Sequence, residues 1–336
     1  MSAGDVTLSF REGIFRQAEN LDLAARAARL ALADAELEPL RRGVLVLTGI
    51  GASWHALAPA VRALRRAGRR AFAIHPSELG DAAARGLGDA YVVVSQSGAS
   101  AETLATLEFL DGAFVAGVSA RRDAPLAAAA DVWLPLGPIP DTPVSTLSYT
   151  ATLQALGLLC EALGSAERRP AWDRLPALVR ETLEASDAQA RAAADCFGAI
   201  QALDAIGTGA SQASVGETAL LAREALLIPA TGSETRQYLH GPLEAASAAV
   251  GCVLFGSGRE LSLAASLASY GARVAIVADR PIAADGASLF VTAPVGELER
   301  PILEILPVQL ITSHLAAARG LTVGELRRQQ PDTKVA

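Results

Sequence analysis

Four uncharged polar side chains follow a short apolar run near residue 95. Tyr91 to Val94 is typical of a buried strand, and Ser95, Gln96, Ser97 and Ser100 come directly after it. Where a parallel strand ends, the N–H groups of the following helix favour an anion. Hydroxyl and amide donors there could hold a phosphate monoester without a metal or a cationic side chain. Serine is also favoured at helix caps and turns, so the residues alone leave that role equally open.

Glu224 is a carboxyl group among apolar neighbours. On a helix predicted from Ser211 to Ile228, the residues three and four positions away are leucines and an isoleucine, so the glutamate would project from an apolar stripe. A buried carboxylate is costly unless it pairs with an arginine, and the other common explanation is catalysis. A carboxylate with a pKa raised by apolar surroundings is suited to remove a proton from carbon. Both explanations stay open at this point.

His240 precedes a Gly-Pro pair, and proline is a favourable first residue for a helix predicted from Leu243 to Val250. A histidine at a helix N-terminus is biased towards the neutral imidazole, which can both donate and accept a proton. A structural role is the alternative for this residue. We interpret the other histidines as structural, namely His55, His75 and His314.

Neither histidines nor cysteines have the spacing of a metal site. No two histidines are placed as paired ligands, and the three cysteines lie far apart, without the paired spacing of zinc ligands or of a disulfide framework. Cys160, Cys196 and Cys252 are therefore interpreted as small buried hydrophobes. We expect no metal and no cofactor.

The composition indicates a well-buried globular protein. The 336 residues are 51% hydrophobic and 19% charged, which suits about two domains, and the net charge of −7 argues against a nucleic-acid surface. The uncharged stretch 245–258 is too short for a membrane span, and the N-terminus lacks the pattern of a secretory signal. We therefore expect a cytoplasmic protein that binds neither nucleic acid nor membranes. Lys334 is the only lysine, so a lysine-dependent mechanism has a single candidate.

Short apolar runs alternate with segments of helical spacing. This alternation predicts an α/β fold with parallel sheets covered by helices on both faces. The first half is predicted to contain a helical arm over 9–38, strands at 44–48, 71–75, 91–95, 113–118 and 132–136, and helices at 53–67 and 145–163.

The pattern then repeats. The Gly-x-Gly-Ala-Ser segment at 49–53 returns at 207–211, and the Ser-Gly pair at 97–98 returns at 257–258. Offsets of 158 and 160 residues predict two copies of one α/β unit. The third glycine of a dinucleotide fingerprint is missing from both copies, which argues against a nicotinamide cofactor.

The Ser-Gln-Ser-Gly segment, with a hydroxyl residue two positions later and Gly-x-Ser after the first strand, resembles the sugar-isomerase (SIS) domain. From about residue 43 to 330, the chain resembles the tandem-SIS isomerase half of glucosamine-6-phosphate synthase and its stand-alone relatives. The resemblance implies two tandem SIS domains, each a flavodoxin-like parallel sheet flanked by helices in three layers. The other matching segments are Ser145-Thr146 after Asp141, Arg223-Glu224-Ala225, His240-Gly241-Pro242, and Pro307 to Leu310 with His314.

The resemblance also assigns roles by position. A sugar 6-phosphate would be bound by Ser53, Ser95, Gln96, Ser97, Ser100 and Ser145. Glu224 would be the base that moves a proton between C1 and C2 of the open-chain sugar. His240 would open the ring and would act in the site of the neighbouring subunit, which implies at least a homodimer.

Several positions depart from the synthase. The family usually has Glu-Thr where Ala99 and Ser100 stand, so the hydroxyl is kept and the carboxylate is lost. Two lysines of the synthase are replaced by Leu147 and Leu221, and its tail lysine aligns three residues before Lys334. Lys334 is thus a third candidate catalytic residue, with a solvated terminal residue as the alternative. No glutaminase domain is present in this sequence, so synthase activity is not expected.

The predicted organisation is a helical arm (1–40), a first SIS domain (41–165), a helical linker (166–197), a second SIS domain (198–320) and a tail over the active site (321–336). The predicted function is an enzyme of the phosphosugar isomerase and deaminase class, which abstracts the C2 proton of a hexose or hexosamine 6-phosphate. One alternative is a dehydratase, a carbon–oxygen lyase that eliminates the C3 hydroxyl of N-acetylglucosamine 6-phosphate. Another is a sensor that binds a sugar phosphate without catalysis.

Overall fold

Two five-stranded parallel sheets form the framework of the computed structural model, which describes residues 8–80, 86–110, 112–164, 171–325, 327–328 and 330–334. The strands are short apolar runs, and β3 is buried along its whole length, as expected for parallel strands covered on both faces. The strands are β1 (Val44–Thr48), β2 (Arg70–Ala73), β3 (Ala90–Val94), β4 (Phe114–Ser119), β5 (Val132–Pro135), β6 (Ala202–Gly207), β7 (Ala230–Glu234), β8 (Val250–Phe255), β9 (Arg273–Ala278) and β10 (Ala287–Val291).

Helices connect and flank these strands. They are α1 (Phe10–Ala33), α2 (Glu38–Arg41), α3 (Ala52–His55), α4 (Leu57–Arg66), α5 (Pro76–Leu79), α6 (Ala101–Leu107), α7 (Pro125–Ala129), α8 (Leu147–Ala162), α9 (Ala171–Cys196), α10 (Gln212–Ala225), α11 (Thr235–Tyr238), α12 (Arg259–Ser269) and α13 (Arg300–Ala318). Short 3₁₀ turns cover Gly209–Ser211, Pro242–Ala245 and Pro331–Thr333.

The two sheets have the same topology. The first has the order β2-β1-β3-β4-β5, and the second, read from its other edge, has the order β7-β6-β8-β9-β10. In each sheet the order reverses beside the first strand, and open α/β sheets bind ligands at the carboxyl ends of the strands at this switch point. The predicted α/β architecture with parallel sheets is therefore confirmed.

The residues divide into two compact units, each with one sheet. We call Glu19–Ile139, Ser148–Asp173 and Arg327–Ala336 the N-sheet unit. We call Met1–Ala18, Pro140–Leu147 and Arg174–Leu326 the C-sheet unit. The boundaries predicted from the sequence stay predictions, and parts of them lie outside the described residues, including 1–7 and 166–170.

Each unit has its own apolar core. In the N-sheet unit, the core includes Val46, Tyr91 and Val93, and the hydroxyl of Tyr91 accepts from the N–H of Gly88 at 3.0 Å. In the C-sheet unit, Ile206, Cys252, Leu254 and Ile276 form part of the core beneath Tyr238 and α12. These cores hold the ends of the strands, and the loops that follow them, in fixed positions.

Some local predictions differ from the structure. Cys196, predicted to be buried, is exposed, whereas Cys160 and Cys252 are buried. The helix predicted over 243–250 is only a 3₁₀ turn, Pro242–Ala245, and Val250 already begins β8. The helix predicted over 53–67 is divided into α3 and α4. The helix predicted to end at Ile228 ends at Ala225, because Leu227 takes a left-handed conformation with φ of 58°.

One helix among the described residues, α13, passes a length and composition test for a membrane span. Of its most apolar 18-residue window, 78% is buried inside the structure. Its apolar residues are therefore used in packing within the C-sheet unit, against α10 and β9.

Candidate functional site

The loop at residues 95–100, which we call the serine loop, connects β3 to α6. Ser95 is 3% exposed, and its hydroxyl lies 3.0 Å from that of Ser100. The loop turns at Gly98, which has a φ of 66°. A Cβ atom at Gly98 would lie 2.5 Å from the Cβ atom of Ala124, so only glycine fits. The loop thus presents several hydroxyl groups over a short distance.

Ser53 lies beside the serine loop. It belongs to α3, which begins after Gly51, a residue with a φ of 60°. Strand β1 pairs with β3 up to Thr48, and a Cβ atom at Gly49 would lie 3.1 Å from both Ser53 Cβ and the carbonyl oxygen of Val94. The structure therefore brings Ser53 next to the serine loop at the switch point of the first sheet.

The end of the chain also meets this loop. The backbone of Lys334 forms an isolated antiparallel bridge with that of Ser100. Within the part of the chain that the structure describes, this bridge places Lys334, which is exposed, alongside the predicted phosphate ligands.

No ionisable side chain belongs to the serine loop itself. The nearby His55 follows Ser53 by two residues, and burial, with a smaller effect from the charge of His75, lowers its pKa to about 4. His55 is therefore uncharged at neutral pH. The ring of Trp54 stacks on His75 with centroids 3.6 Å apart. Within the serine loop itself, binding of an anion would depend on neutral donors.

Glu224 lies in the last turn of α10, in the C-sheet unit. Its side chain is half-buried, and burial raises the pKa of its carboxyl group above the ordinary value. Its neighbour Arg223 donates instead to the carbonyl of Ala230, with distances of 3.0 Å from Nε and 2.6 Å from Nη2. Among the described residues Glu224 makes no ion pair, so the arginine-pair explanation for this residue is not supported.

A second glutamate precedes Glu224 by two turns of the same helix. Glu217 is 1% exposed, and neither of its carboxyl oxygens has a hydrogen-bond partner among the described residues. Sequence reasoning did not identify it. The spacing of seven residues, which places both acids on one face of a helix, is the signal that could have done so.

Asp141 and Ser145 form a capping network at the start of α8. The carboxylate of Asp141 accepts from the N–H groups of Thr146 and Leu147, each at 3.1 Å, and from the hydroxyl of Ser145 at 3.3 Å. Ser145, predicted to bind substrate, thus lies in the C-sheet unit with its hydroxyl near a carboxylate. This arrangement orients the hydroxyl of Ser145.

His240 is exposed and lies just after α11. Its N–H donates to the carbonyl of Gln237 at 3.1 Å, and Gly241 follows with a φ of 137°. Only a 3₁₀ turn follows, so the prediction that His240 lies at the N-terminus of a helix is wrong. Its exposure leaves the imidazole accessible from solvent.

Across the residues that the structure describes, no three His, Cys, Asp or Glu side chains are grouped so that they could hold a metal ion.

The chain was compared with known proteins. No family model matches it. A glutamine–fructose-6-phosphate aminotransferase (isomerizing) of Rhizobium meliloti (strain 1021) is 26% identical over 260 residues, which are 71% of this chain and 43% of the relative. The same enzyme of Thermosynechococcus vestitus is 28% identical over 263 residues, covering 70% of this chain and 42% of the relative. The match therefore spans less than half the length of these curated relatives.

Solved structures extend the likeness to nearly the whole chain. The C-terminal domain of glucosamine-fructose-6-phosphate aminotransferase from Francisella tularensis has a TM-score of 0.83 at 17% identity, covering 96% of this chain and 99% of that domain. Glucosamine-6-phosphate deaminase from Thermotoga maritima has a TM-score of 0.77 at 18% identity, covering 97% and 99%. Tagatose-6-phosphate ketose/aldose isomerase from Escherichia coli has a TM-score of 0.75 at 19% identity, covering 100% and 98%. The resemblance to the isomerase region of glucosamine-6-phosphate synthase and to stand-alone phosphosugar isomerases is thereby confirmed, in sequence for the former and in fold for both.

Proposed function

We propose that this chain is a tandem-SIS enzyme that acts on a hexose or hexosamine 6-phosphate by abstraction of the C2 proton. The observation that carries the proposal is Glu224, a half-buried carboxyl group whose pKa is raised by burial and which has no ion-pair partner among the described residues. Such a group is a suitable general base for a C–H bond, because a carboxylate with a raised pKa holds an abstracted proton more strongly than an ordinary one.

The serine loop and Ser53 bind the 6-phosphate. Their hydroxyl groups and the backbone N–H groups of the loop supply donors to the phosphate oxygens without any charged side chain. The bridge between Ser100 and Lys334 supports a role for the chain end next to the phosphate. Gln96 and Ser97, both part of the loop, complete the set of donors.

The chemistry is a proton transfer in two steps. His240 opens the sugar ring. Glu224 takes the C2 proton, the C–H electron pair forms the C1–C2 double bond, and O1 takes up a proton, which gives the enediol or enolamine. Glu224 then returns its proton to C1 while the hydroxyl or amine on C2 releases a proton in place of the one taken up by O1, which leaves a ketose or its imine. If C2 carries an amine, the resulting imine is hydrolysed and ammonia is released. Ser145 binds the substrate, and the functional form is a cytoplasmic homodimer in which His240 serves the partner's site.

The test is proton NMR in D₂O with glucosamine 6-phosphate, N-acetylglucosamine 6-phosphate and fructose 6-phosphate. We expect the C2 proton signal of an aldose substrate to disappear, or deuterium to enter C1 of fructose 6-phosphate. Glu224→Gln should slow this exchange by about 10²- to 10⁴-fold, the usual contribution of a general base. The matched control is Glu181→Gln, which changes an exposed glutamate of α9 and should leave the exchange rate unchanged.

The products separate the alternatives. Unaltered exchange in Glu224→Gln would contradict the assignment of the base. A C3-deoxygenated, unsaturated product from N-acetylglucosamine 6-phosphate would identify a dehydratase instead. Binding of a sugar phosphate without any exchange would identify a sensor.

A further inference from the structure

Glu217 is a fully buried carboxyl group of α10. Its side chain is 1% exposed, and both carboxyl oxygens lack a hydrogen-bond partner among the described residues. It lies seven residues before Glu224, so the two acids share one face of the helix. Leu221 is completely buried between them on this face. A buried polar group without a partner is unusual, and it calls for a physical or functional explanation.

The charged groups that act on Glu217 are all acids. They are Glu224 on the same helix and Asp141, whose carboxylate accepts from the N–H groups at the start of α8. Burial, together with these two carboxylates, raises the pKa of Glu217 well above its ordinary value. A cation at position 221 would pair with the acids on either side, but a leucine stands there.

The elements packed against α10 supply no neutralising partner among the described residues. The titratable groups of α13 are Arg300, Glu304 and His314. Glu304 accepts from Ser211 and Ser214, His314 pairs with Asp187, and Arg300 is not among the charges that act on Glu217. The strands contribute Asp204 on β6, which accepts from Tyr238, Glu234 on β7, which accepts from the N–H groups of Arg236 and Gln237, and Cys252 on β8. Each of these carboxyl groups has its own donors, and none of the described groups forms a hydrogen bond with Glu217. The carboxyl group of Glu217 therefore has to be neutral, because an unpaired charge in this position would be strongly destabilising.

We propose that Glu217 is a positioning residue that keeps its proton while Glu224 is ionised, and that its ionisation sets the alkaline limit of activity. This inference rests on the proposed function, in which Glu224 is the base. As long as Glu217 is neutral, α10 holds a single negative charge on this face, at the half-buried end where substrate can reach it. Once Glu217 loses its proton, a second charge is enclosed in the core of the same helix, and α10 opens locally, so that Glu224 is displaced.

The protonated state can be tested without any substrate. The infrared C=O stretch of a protonated carboxyl group should be present in the wild type at pH 8, and part of it should be missing from both Glu217→Gln and Glu217→Met. Two variants are used because a buried amide is itself unpaired, whereas methionine fills the same volume without a polar group. An unchanged band in both would overturn the proposal.

Stability against pH gives a second substrate-free measurement. Above the unfolded-state pKa, the unfolded chain releases the proton of Glu217 while the folded protein keeps it, so wild-type stability falls as pH rises towards the folded-state pKa. The unfolding equilibrium constant of the wild type should therefore rise by up to about ten-fold more per pH unit than that of Glu217→Met over this range. The matched control is Glu260→Gln, which alters a buried carboxyl group that has a donor in Thr235. This variant should lower the free energy of unfolding but should keep the pH dependence that Glu217 contributes.

The pH profile of kcat/KM tests the positioning role itself. The acid limb requires the carboxylate of Glu224, and it should be the same in the wild type and in Glu217→Gln. The alkaline limb should disappear in Glu217→Gln, through kcat rather than KM. A retained alkaline limb would overturn the positioning role. If no sugar phosphate is turned over, the proposed function fails and this role fails with it, while the infrared band still decides whether Glu217 is protonated.

Discussion

Residues 95–100 and residues 256–260 follow equivalent central strands, β3 and β8, but they carry different polar groups. In the serine loop, the hydroxyl groups of Ser95 and Ser100 lie 3.0 Å apart, and no side chain is charged. In the second loop, which we call the carboxyl loop, Ser257 donates to Asp279 at 3.1 Å. Glu260 is 3% exposed and accepts from Thr235 at 2.5 Å.

The same contrast holds for the loops that follow β1 and β6. Both have the Gly-x-Gly-Ala-Ser sequence, and their second glycines, Gly51 and Gly209, have φ values of 60° and 64°. However, the hydroxyl of Ser211 donates to the buried Glu304 at 2.8 Å, whereas Ser53 lies beside the uncharged serine loop. The two sheets thus have the same left-handed turns after their first strands, but carboxyl groups engage the loop hydroxyls only in the C-sheet unit. In the C-sheet unit the hydroxyl groups of Ser211 and Ser257 already donate to carboxyl groups, whereas the serine loop has no carboxyl group to compete with an anion for its donors.

The strongest test of this comparison is to place a carboxylate in each loop. Ser97→Asp should raise the Kd of a sugar 6-phosphate at least about 100-fold, since facing like charges cost several kcal/mol. Ser257→Asp, at the equivalent position of the carboxyl loop, should change this Kd by less than about two-fold. Isothermal titration calorimetry with glucosamine 6-phosphate measures both. Equal losses in the two variants, or a loss in Ser257→Asp alone, would show that the serine loop is not the phosphate site.

A smaller effect, on the free energy of unfolding, is expected when the hydroxyl group that bonds to each loop is removed. Thr235→Val leaves the buried carboxyl of Glu260 without its donor, and it should cost about 1 to 3 kcal/mol. Ser100→Ala removes one partner of a hydroxyl pair that is more exposed, and it should cost less than about 1 kcal/mol. Urea unfolding monitors both changes. Equal losses would mean that the two loops do not differ in the strength of their internal hydrogen bonds.

The sheets could be predicted from the sequence because their strands are continuous apolar runs. Val44 to Thr48 and the run ending at Val94 match β1 and β3 to within one residue. The repeated Gly-x-Gly segment predicted the second copy, since a left-handed turn after a strand selects glycine. Ser53 and the serine loop meet because they follow adjacent parallel strands, whose carboxyl ends lie at the same edge of the sheet. This proximity can be predicted once the strands are assigned.

The chemistry of the C-sheet unit could not be predicted in this way. Ser211 and Glu304 are 93 positions apart, and no sequence spacing pairs them. The lack of a partner for Glu217 is a property of the packed core and is not visible in the residue types. The turn after His240 was predicted as a helix because proline is a favourable first helical residue, but β8 begins at Val250 because tertiary pairing with β6 outweighs local propensity.

The end of α10 provides the smallest of the predicted effects. Both units use glycine where the chain needs a positive φ after β1 and β6, but Leu227 takes a φ of 58° with a side chain that is 40% exposed. A left-handed conformation is strained for an L-residue with a Cβ atom by about 1 to 2 kcal/mol. Leu227→Gly should therefore stabilise the C-sheet unit by about 1 kcal/mol, after the greater freedom of glycine in the unfolded chain is subtracted.

The control for this change is Leu226→Gly, one residue earlier. Leu226 has a φ of −100° and is 3% exposed, so glycine there relieves no strain and removes a buried side chain. Urea unfolding should move to higher concentration in Leu227→Gly and to lower concentration in Leu226→Gly. If Leu227→Gly is also destabilising, packing of the leucine outweighs its backbone strain. In that case leucine at position 227, in place of the glycine that other left-handed positions use, would stabilise the end of the helix that carries Glu217 and Glu224.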